Sequence, residues 1–390
     1  MMNFLIPDTF KVPDMRGIRP DGGSLRKGFR IPDSNGSGMW FFSFYRNIPG
    51  YISPCGMAAW KGYEAVVKAD SGNVSAQMFR VVYFQTTKNE AAMLNAMLAD
   101  LYGAQTLLAE GLLPPALVYG QHGYLWPCHG IKPPGDIWLH NYAVDLARSP
   151  DGRWWVIADR TQAPSGAGYA LENRLIVSRV FPEMFRDLRV QHVADFFRDQ
   201  QEGLAALAPV EGDEAPHIVL LTPGPYNETY FEHAYLARYL GYPLVEGQDL
   251  TVRGDTVYLK TLRGLKRVHV ILRRQDDSYC DPLELRGESA LGIPGLLNVA
   301  RAGRVVIANA LGSGLLGSGA LMGFLPAICE RLLGEKLLMP SVATWWCGEK
   351  PALAYVKKHF DDLVIKPAYP TQHMEPVFGH EVKGEERAEI

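Results

Sequence analysis

Two aspartates near the middle of the first half sit where strand-borne carboxylates would hold a hard cation. Trp138 to Leu146 alternates and carries His140, Tyr142 and Asp145; Ser149-Pro150-Asp151-Gly152 then turns the chain, and Trp154 to Ile157 returns toward Asp159. Asp145 and Asp159 would come from antiparallel neighbours and face one site, a pair suited to Mg²⁺ against nucleotide phosphates, because that ion keeps its waters and asks for few carboxylates. A surface Asp beside a turn Asp fits the same residues without a metal. Cations follow later in the chain. Charge collects where the apolar run Val268 to Leu272 ends, in Arg273, Arg274, Asp276 and Asp277, and two guanidiniums at a strand end can grip a phosphate or carboxylate, or simply be solvated. Lys366 closes the short run Leu363 to Lys366, as a point charge for phosphates or as an ordinary exposed strand end.

Small-residue loops are the second kind of candidate. Thr161 to Tyr169 contains Ser165-Gly166-Ala167-Gly168, rich in backbone donors that can wrap an anion, and equally able to serve as a plain connector. Asn309-Ala310-Leu311-Gly312-Ser313-Gly314 follows a buried-type strand and has the outline of a phosphate cradle, without the glycine fingerprint or Lys-Ser/Thr of a P-loop. Tyr226, Asn227 and Glu228 come just after the turn Thr222-Pro223-Gly224-Pro225, at the mouth of another strand. No GxSxG, HExxH or GxGxxG is present, and the histidines are scattered without metal spacing.

The elements that must position these groups read as α/β, with a central mixed or parallel sheet flanked by helices. Ile218 to Leu221 is a strand, Asn227 the N-cap of a helix stopped by Gly241, and Pro243 to Val245 a second strand, which together form a βαβ unit. Polar groups at the C-terminal mouth of its first strand face the crevice where such sheets bind ligands. Gly254-Asp255 sits between Leu250 to Arg253 and Thr256 to Leu259, a hairpin signal. A helical stripe runs from Ala91 to Leu101, Phe181 to Leu207 and Met322 to Leu333 are helical, and Val305 to Ala308 is a buried strand. Composition shifts divide the chain into residues 1–85, with no placed motif, 86–208 with the aspartate hairpin, 209–345 with the βαβ unit, and 346–390 with Lys366.

Bulk properties exclude several classes. The net charge of −3 makes no electrostatic case for nucleic acid or an acidic membrane surface. The five cysteines are far apart and never form CxxC, which fits a reducing compartment without a disulfide framework or zinc site. Without a signal-like start or a bilayer-length apolar run, a soluble cytoplasmic protein is expected.

Several longer strings carry a resemblance. TPGPYNETYFEHAYLARYLGYPLVEGQDLTV, VHVILRRQDDSYCDPLELR, ESALGIPGLLNVARAGRVVIANALGSG and PSVATWWCGE resemble the circularly permuted type 2 ATP-grasp family, similar in turn to the synthetase domain of glutathionylspermidine synthase. The likeness runs from about Ala91 to the end and is greatest to long members that continue into a helical alpha-E domain. It implies a circularly permuted ATP-grasp fold and ATP-dependent ligation of a carboxylate, peptide-like or small, to an amine, with ATP and Mg²⁺ as cofactors. It further matches Asp145 to the first metal-ligand carboxylate, Lys366 to the lysine at the nucleotide, and Arg273 and Asn309 to polar positions at the cleft; joined to the residue reading, this gives an expected site of Asp145 and Asp159 for the metal, Lys366, Asn309, Ser165 and Gly166 for the nucleotide, Arg273 and Arg274 in catalysis, and Tyr226, Asn227 and Glu228 at the substrate. The departures are as informative. Related ligases carry Glu and Asn one residue apart on the returning strand, where this chain has Ala158 and Arg160, and an Arg there would repel Mg²⁺. After Lys366 comes Ala368 to His373 instead of a Gly-rich loop. The chain stops at Ile390, so a C-terminally truncated ligase without turnover of its own is expected, with a degenerate, non-catalytic nucleotide-binding scaffold as the alternative.

Overall fold

The computed structural model describes residues 40–43, 88–149, 154–187, 190, 193–212, 214–369, 375–384 and 387; most of the N-terminal region without a motif lies outside them. Strand β1 (Trp40–Ser43) is the described part of that region. Helix α1 (residues 88–101) follows the apolar stripe, burying Met93, Leu94, Met97, Leu98 and Leu101. Asp100 near its end accepts from the backbone N–H of Thr106 and Leu107 at 2.9 and 3.0 Å, so α2 (Thr106–Ala109) starts on a ready acceptor, and α3 (Pro115–Tyr119) starts on its proline. Strands β2 (Ala143–Arg148) and β3 (Trp154–Arg160) form the expected antiparallel pair, and β1 adds to the free side of β2. The strand expected from Trp138 begins only at Ala143. Between Trp138 and Asn141 the backbone N–H groups are taken by the side chains of Asn95 and Asn309 instead of a strand partner.

Beyond the hairpin come α4 (Ala167–Val180), α5 (Pro182–Asp187) and α6 (Ala194–Leu207), so the single helical stretch expected from Phe181 is broken. The βαβ unit is β4 (Ile218–Leu221), α7 (Tyr230–Leu240) and β5 (Leu244–Val245). Thr229 occupies the cap position of α7; Asn227, expected there, folds its Oδ1 onto the Thr229 N–H at 2.9 Å in a local turn. Strands β6 (Leu250–Arg253), β7 (Thr256–Thr261) and β8 (Gly264–Val268) make a three-stranded antiparallel sheet. The apolar run expected as one strand from Val268 divides at His269, with Val268 ending β8 and Val270 starting β9 (Val270–Arg273). Then follow α8 (Leu296–Arg301), β10 (Val306–Ala308), α9 (Leu325–Leu333), α10 (Lys350–Lys358) and the small antiparallel pair β11 (Val364–Ile365) and β12 (Val377–Phe378).

The central sheet is parallel, in the order β10-β9-β4-β5. Its strands are unbroken apolar runs because both faces are covered. Val219, Leu221, Ile271 and Ile307 point into a core with α1, α8 and α9; Ile218, Leu220, Val270, Leu272, Val306 and Ala308 point into a second core with α4, α6 and α7. The ends of β9 and β10 therefore carry the first residues free to be polar.

One of these, Asn309, ties the sheet to the aspartate hairpin. Its Oδ1 accepts from the backbone N–H of His140 and Asn141 at 2.7 and 2.8 Å, and its Nδ2 donates to the carbonyls of Asn141 and Thr161, both at 2.7 Å. Asn309 is 2% exposed, so truncation would leave buried backbone groups without partners. Asn309→Ala is expected to lower stability in urea unfolding by about 4 kcal/mol. Equal stability of native protein and Asn309→Ala would remove the clamp.

Candidate functional site

Arg273, the last residue of β9, is 1% exposed and spends every donor inside the protein. Nε donates to the Asn309 carbonyl at 3.2 Å, Nη1 to Gln162 Oε1 and the Gln275 carbonyl at 2.8 and 2.5 Å, and Nη2 to the Gln162 carbonyl and Ser313 Oγ at 2.9 and 3.1 Å. A guanidinium has five N–H groups, and here each has an oxygen. Arg274 Nη2 donates to the Pro164 carbonyl at 2.6 Å, and its charge faces Glu232. The two cations expected to meet a substrate are thus fastenings of the loops around them.

The small-residue loops do wrap anions, and the anions belong to the chain. Glu232 of α7 is fully buried and accepts from the Gly166 N–H at 2.5 and 2.6 Å through its two oxygens, and from the Gly168 N–H at 3.0 Å. Burial raises its carboxyl above the usual range, while Arg274 and these N–H groups pull the other way. Gly166 has φ 107°, a region open chiefly to glycine, and that conformation aims its N–H into the cradle. After β10, Asp277 Oδ2 takes the N–H groups of Gly312 and Gly314 at 3.0 and 3.1 Å, while its Oδ1 takes Gln162 Nε2 at 2.8 Å. A side chain on Gly314 would meet Gln162 Nε2 at 2.3 Å and Asp277 Oδ2 at 3.2 Å, so it would push the Gln162 amide away from Asp277. Both cradles are filled before any ligand arrives.

Beside the Asp277 cradle opens a hollow of about 300 Å³. Asp159 to Pro164 line it from the end of β3, Asp276 to Ser278 from beyond β9, Gly314 and Gly317 from beyond β10, Gln121 to Gly123 from the segment after α3, and Tyr369 from beyond β11. Its volume is at the small end of ligand pockets. The charged residues on its wall are Asp159, Asp276, Asp277 and Arg160, so it favours a polar group with donors. Asp276 is exposed to it, and Tyr369 is oriented by donating its hydroxyl to the Ala116 carbonyl at 3.0 Å. Of the expected site residues, Asp159 lies on this wall. Lys366 is exposed without lining it; Tyr226 and Glu228 are exposed and Asn227 and Ser165 half-buried outside it, while Asn309 and Gly166 belong to the clamp and the Glu232 cradle. Gln162 carried no sequence signal. Asp276 and Asp277 did, as the charge collected after Val268 to Leu272.

The metal expectation depends on the hairpin register. Asp145 pairs with Ala158 and Val144 with Asp159, so the two aspartates leave opposite faces. Asp145 Oδ2 is held by Arg160 Nε and Nη2 at 3.2 and 2.9 Å. Asp159 Oδ1 accepts from the Tyr142 hydroxyl at 2.6 Å, on the side of the fully buried Glu90. Burial pushes the Asp159 carboxyl up to about 6, with the Tyr142 hydrogen bond opposing, the Asp145 charge adding and Arg160 opposing. Burial, and then Asp159, hold Glu90 well above the carboxylate range.

A match to the family model described as circularly permuted ATP-grasp type 2 covers residues 83–390. The chain belongs to that family. The mixed α/β architecture, with parallel and antiparallel sheets, agrees with a circularly permuted ATP-grasp fold. An uncharacterized protein of Synechocystis sp. is 39% identical over 303 residues, covering 78% of this chain and 63% of the relative. Two uncharacterized proteins of Mycobacterium tuberculosis are 42% and 39% identical, covering 70% and 76% of this chain, and 31% and 54% of their own lengths. The chain thus spans less than two thirds of each.

ATP-grasp proteins generally bind ATP with Mg²⁺, and the residues of this ATP-grasp chain do not fit the metal at the hairpin. The aspartates diverge, one is already paired with a cation, and among the described residues no group of three or more His, Cys, Asp and Glu side chains is gathered to hold an ion. Among the described residues, no helix is long and apolar enough to cross a membrane.

Two outcomes test this site. Glu232→Ala opens the first cradle, and sulfate is expected to raise the melting temperature of the variant by a few degrees while leaving the native protein unmoved; an equal response in both would mean Glu232 does not fill it. Asp159 has a folded pKa above its unfolded value, so its contribution is fully present below about pH 4 and is lost as pH rises through about 6. Asp159→Asn, which keeps an acceptor for Tyr142, should therefore gain on the native protein in urea unfolding between pH 4 and pH 8, by about 2 kcal/mol. A difference independent of pH would refute that assignment.

Proposed function

We propose that the protein works as an ATP-dependent carboxylate–amine ligase, and that the hollow beside Asp277 receives the amine-bearing substrate. The supporting observation is convergence. Chain segments far apart in sequence, following α3, at the end of β3 and following β9, bring acidic and amide side chains to one hollow, which Gly314, Gly317 and Tyr369 complete, in a chain of the ATP-grasp family. In such a reaction the carboxylate takes the γ-phosphoryl group of ATP to become an acylphosphate as ADP departs, the amine attacks the acyl carbon, and phosphate leaves as the nitrogen loses a proton.

What this chain's residues contribute is orientation. Asp276 and Asp159 offer acceptors to an ammonium or amine, Gln121 and Gln162 offer amide groups, and the Arg273 knot holds the Gln162 loop still beneath them. A peptide-like carboxylate is the substrate class we propose, on the likeness to the synthetase domain of glutathionylspermidine synthase, with a helical alpha-E domain as partner. The cytoplasm is the proposed location.

The test is release of ADP from ATP, measured for this chain and in parallel for the longer Synechocystis relative, across pairs drawn from a panel of carboxylates and a panel of amines. Release requiring both partners, with the amine KM raised about tenfold or more by Asp276→Asn in this chain, or at the matching residue of the relative if this chain alone gives no release, is expected. ATP binding without release in either protein on any pair would favour a nucleotide-binding scaffold.

A further inference from the structure

We infer that Arg160 is a resident cation: its guanidinium takes the place at Asp145 that a divalent metal ion would need, so this face of the hairpin works without metal. The inference bears on the ligase reading without resting on it. Four observations carry it. Asp145 is 7% exposed, so its charge needs a counterion held within the protein. Arg160 supplies one, reaching Oδ2 with both Nε and Nη2 at 3.2 and 2.9 Å from the adjoining strand. On the β3 side the register puts Ala158 directly across from Asp145, and a methyl offers no oxygen from that strand to an ion that wants six of them in an octahedron. Asp159, the other carboxylate close in sequence, is turned to the opposite face and engaged by the Tyr142 hydroxyl.

Arg160 lies two residues after Ala158 on the same strand, so both side chains share the face of Asp145. A metal ion approaching Asp145 would meet a guanidinium that is tethered by its own backbone and cannot leave as a soluble counterion would. The side chain of Arg160 is 34% exposed and also lines the hollow, so the pair is a link between the hairpin face and the candidate site.

The experiment uses Mn²⁺ alone as the probe, with binding read from loss of the free-ion electron paramagnetic resonance signal and folding checked by circular dichroism. Native protein and Asp145→Asn are expected to titrate alike. Ala158→Glu places a carboxylate across from Asp145 but keeps the guanidinium, and is expected to bind no more Mn²⁺ than native protein. Ala158→Glu combined with Arg160→Asn brings three oxygen-bearing side chains to one face and should bind one ion, with affinity higher by about ten- to a hundredfold than the single variant. A Mn²⁺ ion bound by native protein and lost in Asp145→Asn overturns the inference, and so does equal binding by the single and double variants. Since ATP is absent throughout, ligase activity could fail while this result stands, and the reverse.

Discussion

Arg273 stands at the junction of everything that gives this molecule a site. Its guanidinium leaves the end of a central strand and meets oxygens from Gln162, Gln275, Asn309 and Ser313. A buried cation without such partners would be far too costly to keep, so the loops must close on it in this one arrangement. Asn309 works from the neighbouring strand with neutral groups, joining the sheet to the hairpin through backbone atoms of residues 140, 141 and 161. The hollow is bordered by these same loops, which means that its shape is held by internal hydrogen bonds and not by a ligand.

The same principle accounts for the filled cradles. A run of backbone N–H groups turned inward carries positive potential, and leaving it empty inside a protein costs desolvation without return. Glu232 and Asp277 meet that demand from α7 and from the loop after β9. Each carboxylate thereby stitches an element distant in sequence onto a loop. What looks like an anion-binding motif is a device for docking the chain to itself, and the ligand-sized space that remains lies beside it, walled by Asp159, Arg160, Gln162 and Asp276.

Charge pairing on the hairpin follows from alternation along a strand. Asp145 and Asp159 are an even number of residues apart, which counts for nothing across a turn, since the register decides which positions share a face. With Asp145 opposite Ala158 across the hairpin, Arg160 reaches it from two positions further along β3, and an ion pair replaces the paired carboxylates that spacing implied. Behind the hairpin, Asp159, Tyr142 and Glu90 form a buried acidic group whose protonation is favoured by exclusion of water.

Much of the local structure was written in residue order. The apolar runs of β4 and β10, the hairpin around Gly254, the stop at Gly241 and the family strings from about Ala91 onward depend on contacts among near neighbours or on unbroken burial, and both leave periodic marks. Even the charges that border the hollow, Asp276 and Asp277, were visible as a cluster after an apolar strand. Which partner each polar group takes was settled only by folding. Arg273, Asn309, Gly166 and Asp145 all have the composition of ligand contacts, and three-dimensional proximity gives them Gln162, the His140–Asn141 backbone, Glu232 and Arg160 instead. A side chain's chemistry can be known from its type, but a hydrogen bond or ion pair needs a partner within about 3 Å, and for these residues the partner is decided by sheet register and helix packing between segments far apart in the chain or by the turn of one hairpin.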